Sequence, residues 1–185
     1  MTDHLSRDYF DQKRSAAYER RAVRLLGGLY RRVADDVAAV APPGASVLDV
    51  GTGPGRLLHE IASRRPDLVL GGVDLSADMV ALAAAGAGGW ASRIVVADVA
   101  DLPHPDDSVD VAVSTLSMHE WPDPGRAVGE LARVLRPGGV LLVYDFRFSR
   151  VGRESFAGLV DVRRTPVRPK RRPPALFTRV SATAP

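Results

Sequence analysis

VLDVGTGPGRLL, residues 47–58, sets the fold of this chain. A short apolar run, SVLDV (46–50), ends in a turn with glycine at 51, 53 and 55, and RLLHEIASR (56–64) then resumes with Leu57, Leu58 and Ile61 at helical spacing. Strand, glycine turn and helix in that order form a ligand-holding corner. The turn brings backbone N–H groups and the positive end of a helix together, and the absent side chains let a ligand approach the main chain. The ligand class this predicts is a nucleotide.

Outward from the corner, apolar runs and helical patterns alternate. LVLGGVDL (68–75), RIVVAD (93–98), VDVAVS (109–114) and VLLVYD (140–145) read as strands. Ser76 is placed to cap a helix through ADMVALAAAGA, ended by glycines 86, 88 and 89, and Asp123-Pro124 opens another that runs to about Leu135, where RPGG stops it. Near-continuous apolar strands alternating with helices predict a parallel α/β sheet covered on both faces. Upstream, Ala22, Leu26, Leu29, Val33, Val37 and Val40 make one helical stripe ending by Pro42-Pro43-Gly44, and a shorter helix is expected around 6–16. Downstream, FRFSRVGRESFAG has room for a short helix. LVDVRRTPV (159–167) and ALFTRVSATA (175–184) alternate as strands, so a C-terminal antiparallel hairpin is expected, linked by the basic, proline-rich RPKRRPP.

The bulk properties narrow the chemistry. With 185 residues and 45% hydrophobic content, the expectation is a single domain: a helical lid over 1–45, a core over 46–146, and the hairpin with its connector over 147–185. The chain has no Cys, which removes disulfides and thiolate chemistry, and its four His are scattered, so no metal is expected. The net charge of +3 is local: residues 162–185 carry seven Lys or Arg and no acid, which leaves the rest at net −4. The N-terminal MTDHLSRDYFDQKR has no apolar signal region, and no apolar run is long enough to cross a membrane, so a cytoplasmic protein is expected.

The glycine spacing discriminates between ligands. A dinucleotide fingerprint, G-x-G-x-x-G, would put its third glycine at 56, where this chain has Arg56. The pattern here, D-x-G-x-G-x-G from Asp49, resembles motif I of the class I S-adenosylmethionine (SAM)-dependent methyltransferases. The resemblance continues through GVDLS (72–76), ADVADLPHPDDSVDVAVS (97–114) and STLSMHEWPDPGRAVGELARVLRPGGVLLVYD (114–145), and is strongest to the small-molecule group called methyltransferase type 11. It implies a Rossmann-like fold with SAM as cofactor.

On that resemblance, Asp74 accepts from the ribose hydroxyls and Asp98 from the adenine amino group, with the Val99 N–H on a ring nitrogen. Asp49 favours the donor's ammonium, and the Gly51–Gly55 backbone, with Thr52 and Gly53 in it, suits its carboxylate. Leu75 and Met79 pack on the nucleoside, and Ser114, Leu116 and His119 lie where the fourth strand meets the donor. Tyr18, with Tyr9, Phe10 and Tyr30, supplies aromatic material in the lid, Tyr18 reaching the donor. Asp74 also reads as a solvated strand end, Asp98 as a loop cap, and Tyr30 as a core residue.

Transfer from a sulfonium needs positioning and exclusion of water rather than a nucleophilic residue. An O–H or N–H acceptor gains from a base, for which His119 is the candidate, ahead of Glu120; packing against the donor or the Trp121-Pro122 turn is its other reading. The implied partner is a small-molecule acceptor bound by a monomer or homodimer. Ser114-Thr115-Leu116-Ser117 lacks the Asn/Asp-Pro-Pro-aromatic motif of the branch that methylates nucleic-acid amino groups, which leaves RNA a lesser reading through the Arg-rich tail. Two further readings stay open: a SAM-binding or scaffold subunit without turnover, and an NAD-dependent oxidoreductase.

Overall fold

The computed structural model describes residues 27–147, 152–167 and 177–185. Seven strands form one sheet: β1 (Ser46–Val50), β2 (Val69–Asp74), β3 (Ile94–Val96), β4 (Val109–Thr115), β5 (Leu135–Phe146), β6 (Val160–Val167) and β7 (Phe177–Thr183). Their order is β3-β2-β1-β4-β5-β7-β6. The first five are parallel, and β7 pairs antiparallel with both β5 and β6. The fold is therefore the Rossmann-like one expected, with the C-terminal hairpin completing its edge. The order reverses at β1, which has β2 on one side and β4 on the other, and that is where open α/β sheets form a ligand crevice.

Helices α1 (27–40), α2 (Arg56–Arg64) and α3 (Ala77–Gly86) cover one face of the sheet, burying Val33, Ala34, Val37, Leu57, Leu58, Ile61 and Ala83 against Val47, Val111, Val113 and Tyr144. Helix α4 (Pro124–Val134) covers the other, burying Val128, Leu131 and Val134 against Leu48, Val50, Ala112, Leu141 and Val143. Both helix starts read from sequence are capped as expected. Ser76 Oγ accepts from Met79 N at 3.4 Å, and Asp123 Oδ1 accepts from Arg126 N at 3.0 Å with Pro124 following it.

The differences from expectation are local. The stripe of α1 holds at Leu29, Val33 and Val37, which are buried, and fails at Val40, which is 41% exposed; Tyr30, Ala34 and Ala41 are buried as well. Val40 is the last residue of the helix, and the buried side passes to Ala41 beyond it. The described part of the expected lid is thus a core helix. RPGG ends α4 one residue early and then sits inside β5. Val109 pairs with Leu135 but Val111 with Val140, so 136–139 bulge out of the ladder, with Gly138 at φ 79°. Strand β3 is shorter than RIVVAD, and α3 is followed by a 3-10 turn over Gly88–Arg93. The expected short helix after β5 is one 3-10 turn, Arg153–Phe156. The helix expected at 6–16, Tyr9, Phe10, Tyr18, Ala22, Leu26 and the RPKRRPP connector all lie outside the described residues.

Candidate active site

A cavity opens at the C-terminal ends of β1, β2 and β4, between the glycine turn and the segment after β4. Asp49, at the end of β1, is 2% exposed and accepts from Thr52 Oγ1 at 2.9 Å. Burial pushes its carboxyl up to about 7; the Thr52 hydrogen bond opposes the rise and the neighbouring Asp74 carboxylate adds to it. Asp74, the last residue of β2, accepts from Gly53 N at 2.8 Å and Ser76 N at 2.9 Å. Burial still holds its carboxyl above the usual range, against the pull of those backbone donors.

The glycine turn differs in detail from its sequence reading. The N–H groups of Gly51 and Thr52 both donate to Val73 O, that of Gly53 to Asp74, and that of Gly55 to Thr52 O. Pro54 has none. The turn's donors are therefore engaged within the protein, because left-handed φ values at 51, 53 and 55 curl the loop over the end of β2. The three glycines also have separate causes. A Cβ on Gly51 would clash with Ser117 Oγ, and one on Gly55 would meet Ala83 Cβ at 3.1 Å; at Gly53 it would meet nothing within 4 Å. Gly51 admits the segment after β4, Gly55 lets α2 pack on α3, and Gly53 alone leaves room on the ligand side.

The rest of the wall comes from residues read in the sequence and residues that were not. Leu75 lines the cavity and is 59% exposed, an apolar side chain left in solvent at its rim, and buried Met79 lies behind it. Asp98 and Val99 line the far side; Asp98 Oδ1 accepts from Ala100 N at 2.8 Å, so the loop-capping reading of Asp98 holds alongside its place in the wall. Leu116 also lines the cavity, at φ 57°, a left-handed backbone that costs a leucine on the order of 1–2 kcal/mol and swings Ser117 onto Gly51. Ser117 Oγ in turn accepts from Trp121 Nε1 at 2.8 Å.

Two expected positions are displaced. Ser114 is fully buried on the α4 face of β4 and does not line the cavity; its neighbour Thr115 does. Alternate side chains of a strand point to opposite faces, so the one-residue difference changes which hydroxyl meets the ligand. Thr115 Oγ1 is buried without a hydrogen-bond partner. His119 also stands outside the lining. It sits on the 3-10 turn Met118–Glu120, with Nδ1 2.9 Å from Asp145 Oδ1 and its backbone N donating to Asp145 Oδ2 at 2.8 Å. Tyr30 is both buried and in the cavity wall, while Tyr18 lies outside the described residues. The signals that sequence reading passed over were strand parity at Thr115 and the paired small residues Gly51 and Ser117.

The lining carries Asp49, Asp74, Asp98 and Glu120, and among the described residues that line it there is no Lys, Arg or His. Such a wall suits a cation. It repels a pyrophosphate, for which the turn also has no spare N–H at 51, 52, 53 or 55. SAM fits on three counts: a buried carboxylate with no basic partner, the orphaned Thr115 hydroxyl, and the exposed Leu75 beside the acids that would meet a nucleoside. No helix among the described residues is long and apolar enough to cross a membrane.

Sheet order and crevice are those of the class I SAM-dependent methyltransferase fold. The family model described as a methyltransferase domain matches residues 48–143, and the chain belongs to that family, whose cofactor is SAM. Among curated relatives, demethylmenaquinone methyltransferase of Thermus thermophilus is 37% identical over 119 residues, 63% of this chain and 54% of that protein. Malonyl-[acyl-carrier protein] O-methyltransferase of Hahella chejuensis is 34% identical over 120 residues, 64% of this chain and 43% of that protein. The chain thus spans about half the length of these curated relatives. Among solved structures, a SAM-dependent methyltransferase of Aquifex aeolicus matches with TM-score 0.71 over 94% of this chain and 98% of that one, at 22% identity, a likeness of fold.

Proposed function

We propose that the chain binds SAM in this cavity and transfers its methyl group to a small molecule. The observation that carries the reading is the acidic, cation-free wall around a buried Asp49 at the switch point of a methyltransferase-family sheet. When bound, SAM supplies a methyl group on a sulfonium, an electrophile that needs no further activation. Asp49 faces the donor's ammonium, Asp74 accepts from the ribose hydroxyls, and Asp98 with Val99 meets the adenine. Leu75 and Met79 cover the nucleoside and exclude water. Thr115, in place of Ser114, offers its hydroxyl to the methionyl end. The relatives' names give different acceptors, a demethylmenaquinone and a malonyl-acyl carrier protein, so the acceptor here is set by this chain's own wall. His119 is the base for an acceptor that gives up a proton.

Calorimetry with SAM, S-adenosylhomocysteine and NAD tests the reading. The first two bind and NAD does not; Asp74→Ala weakens both by about 10- to 100-fold, the worth of hydrogen bonds to a charged group. Binding of NAD in preference to SAM would overturn it.

A further inference from the structure

We infer that Asp145 is the positioning residue of the transfer site. It holds His119 as the Nδ1–H tautomer, so that Nε2 is left as a proton acceptor next to Glu120 of the cavity wall, for an acceptor molecule with an O–H group and an apolar ring. This inference rests on the methyl-transfer reading. Asp145 closes β5 and is buried, yet its carboxylate receives three donors: His119 Nδ1 at 2.9 Å, His119 N at 2.8 Å and Phe146 N at 2.6 Å. A carboxylate with no proton of its own accepts only, so the imidazole nitrogen facing it carries the hydrogen. Two bonds to one residue, through ring and backbone, fix the ring's direction as well as its tautomer.

The other ring nitrogen stands beside the cavity wall without lining it. His119 Nε2 lies 3.8 Å from Glu120 Oε1, and Glu120 is part of the cavity wall. Asp145 and Glu120 are the titratable groups recorded against the imidazole, one on each nitrogen. The His119 side chain keeps 32% of its surface in solvent. Beside it stands Phe146, edge to face with the imidazole at 5.2 Å and 43% exposed, with the Phe177 ring tilted against it at 5.6 Å. An exposed aromatic surface next to a directed base fits an acceptor whose apolar ring rests on Phe146 and whose hydroxyl meets Nε2. In the transfer, the acceptor's O–CH3 bond forms and the sulfonium S–CH3 bond breaks with its pair left on sulfur. The acceptor's proton passes to Nε2 and then to water.

Nitrogen-detected NMR of the His119 ring tests this on the full chain saturated with S-adenosylhomocysteine, at a pH where the imidazole is neutral. The Nδ1–H tautomer should dominate, and in Asp145→Ala its ratio to the Nε2–H form should fall at least about tenfold. Should Asp145→Ala fail to fold, the wild-type spectrum alone decides: a dominant Nε2–H tautomer overturns the inference. Millimolar phenol should then shift the Nε2 resonance while anisole, which lacks the hydroxyl, leaves it in place, and Phe146→Ala should weaken the phenol effect. Phenol and anisole acting alike, or neither moving Nε2, refutes the acceptor site. Calorimetric binding of S-adenosylhomocysteine in the same sample keeps that failure separate from failure of the methyl-transfer reading.

Discussion

At Gly51 the backbone is left-handed, with φ 70°, and the space of a Cβ is filled by the Ser117 hydroxyl. Gly53, two residues on, has a similar φ of 53° and open space instead. Gly51→Ala should therefore cost about 2–4 kcal/mol, strain and clash together, while Gly53→Ala should cost about 1 kcal/mol and act mainly on donor binding. Thermal unfolding and calorimetry on the two variants separate the effects; equal destabilisation would mean the Ser117 contact is soft. Asp49 makes a pH prediction. Its folded carboxyl titrates at about 7, above the usual range for an unfolded chain, so the folded state holds an extra proton between about 4 and 7. Stability from this group is present below that window and is lost as pH rises to 7. Asp49→Asn should be the more stable protein at pH 8, by a few kcal/mol at most, with little difference at pH 4. A bound cation needs the ionised form, so SAM affinity runs the other way, falling about tenfold per pH unit below 7 and flattening above it. Calorimetry across pH 5–8 in two buffers would also detect the released proton.

Helix α1 is held to the sheet through one carboxylate. Tyr144 Oη donates to Asp36 Oδ2 at 2.6 Å, Arg32 Nε donates to Oδ1 at 3.0 Å, and Arg179 Nη1 reaches Oδ2 at 3.3 Å from β7. Burial first, then the Asp36 contact, pushes the Tyr144 phenol well above its ordinary value, so it stays a donor. Helix, strand β5 and hairpin thus share a half-buried polar junction. Tyr144→Phe removes one donor and leaves the two arginines, and is expected to cost about 1–2 kcal/mol in denaturant unfolding. Hydrogen exchange should show the loss across 27–40 before the strands, since α1 is tied to the sheet here; uniform loss would place the junction in the global core. The stripe of α1 was legible as a helix and in phase at Leu29, Val33 and Val37, and failed only at Val40. Periodicity cannot separate Val40 from Ala41 at a helix end, where the backbone leaves the helical repeat.

Over the whole molecule, the cavity belongs to no single element. It lies where the strand order reverses, so its walls come from loops after β1, β2, β3 and β4. A ligand that bridges these loops stabilises the assembled sheet by mass action. At about 100 times its Kd, SAM should raise stability by roughly 2.7 kcal/mol and Tm by about 5–10 °C, with NAD at the same concentration giving no shift. The exposed residues of β6, including Arg163 and Arg164, stand at the opposite edge of the sheet from β3 and do not line the cavity.

The amino-acid sequence by itself determined the alternation of strands and helices, the caps at Ser76 and Asp123, the hairpin, and the acids at Asp49, Asp74 and Asp98. Each of these depends on neighbours a few residues away, through side-chain period, capping chemistry or turn geometry, and such information is written in order along the chain. Tertiary structure alone decided that Gly51 makes room for Ser117, that the turn's N–H groups are engaged, that Thr115 rather than Ser114 meets the cavity, and that His119 faces Asp145. Those outcomes depend on pairs such as 51 with 117 and 119 with 145, which the sheet brings into contact from distant parts of the chain. Local pattern carries no record of which partner arrives.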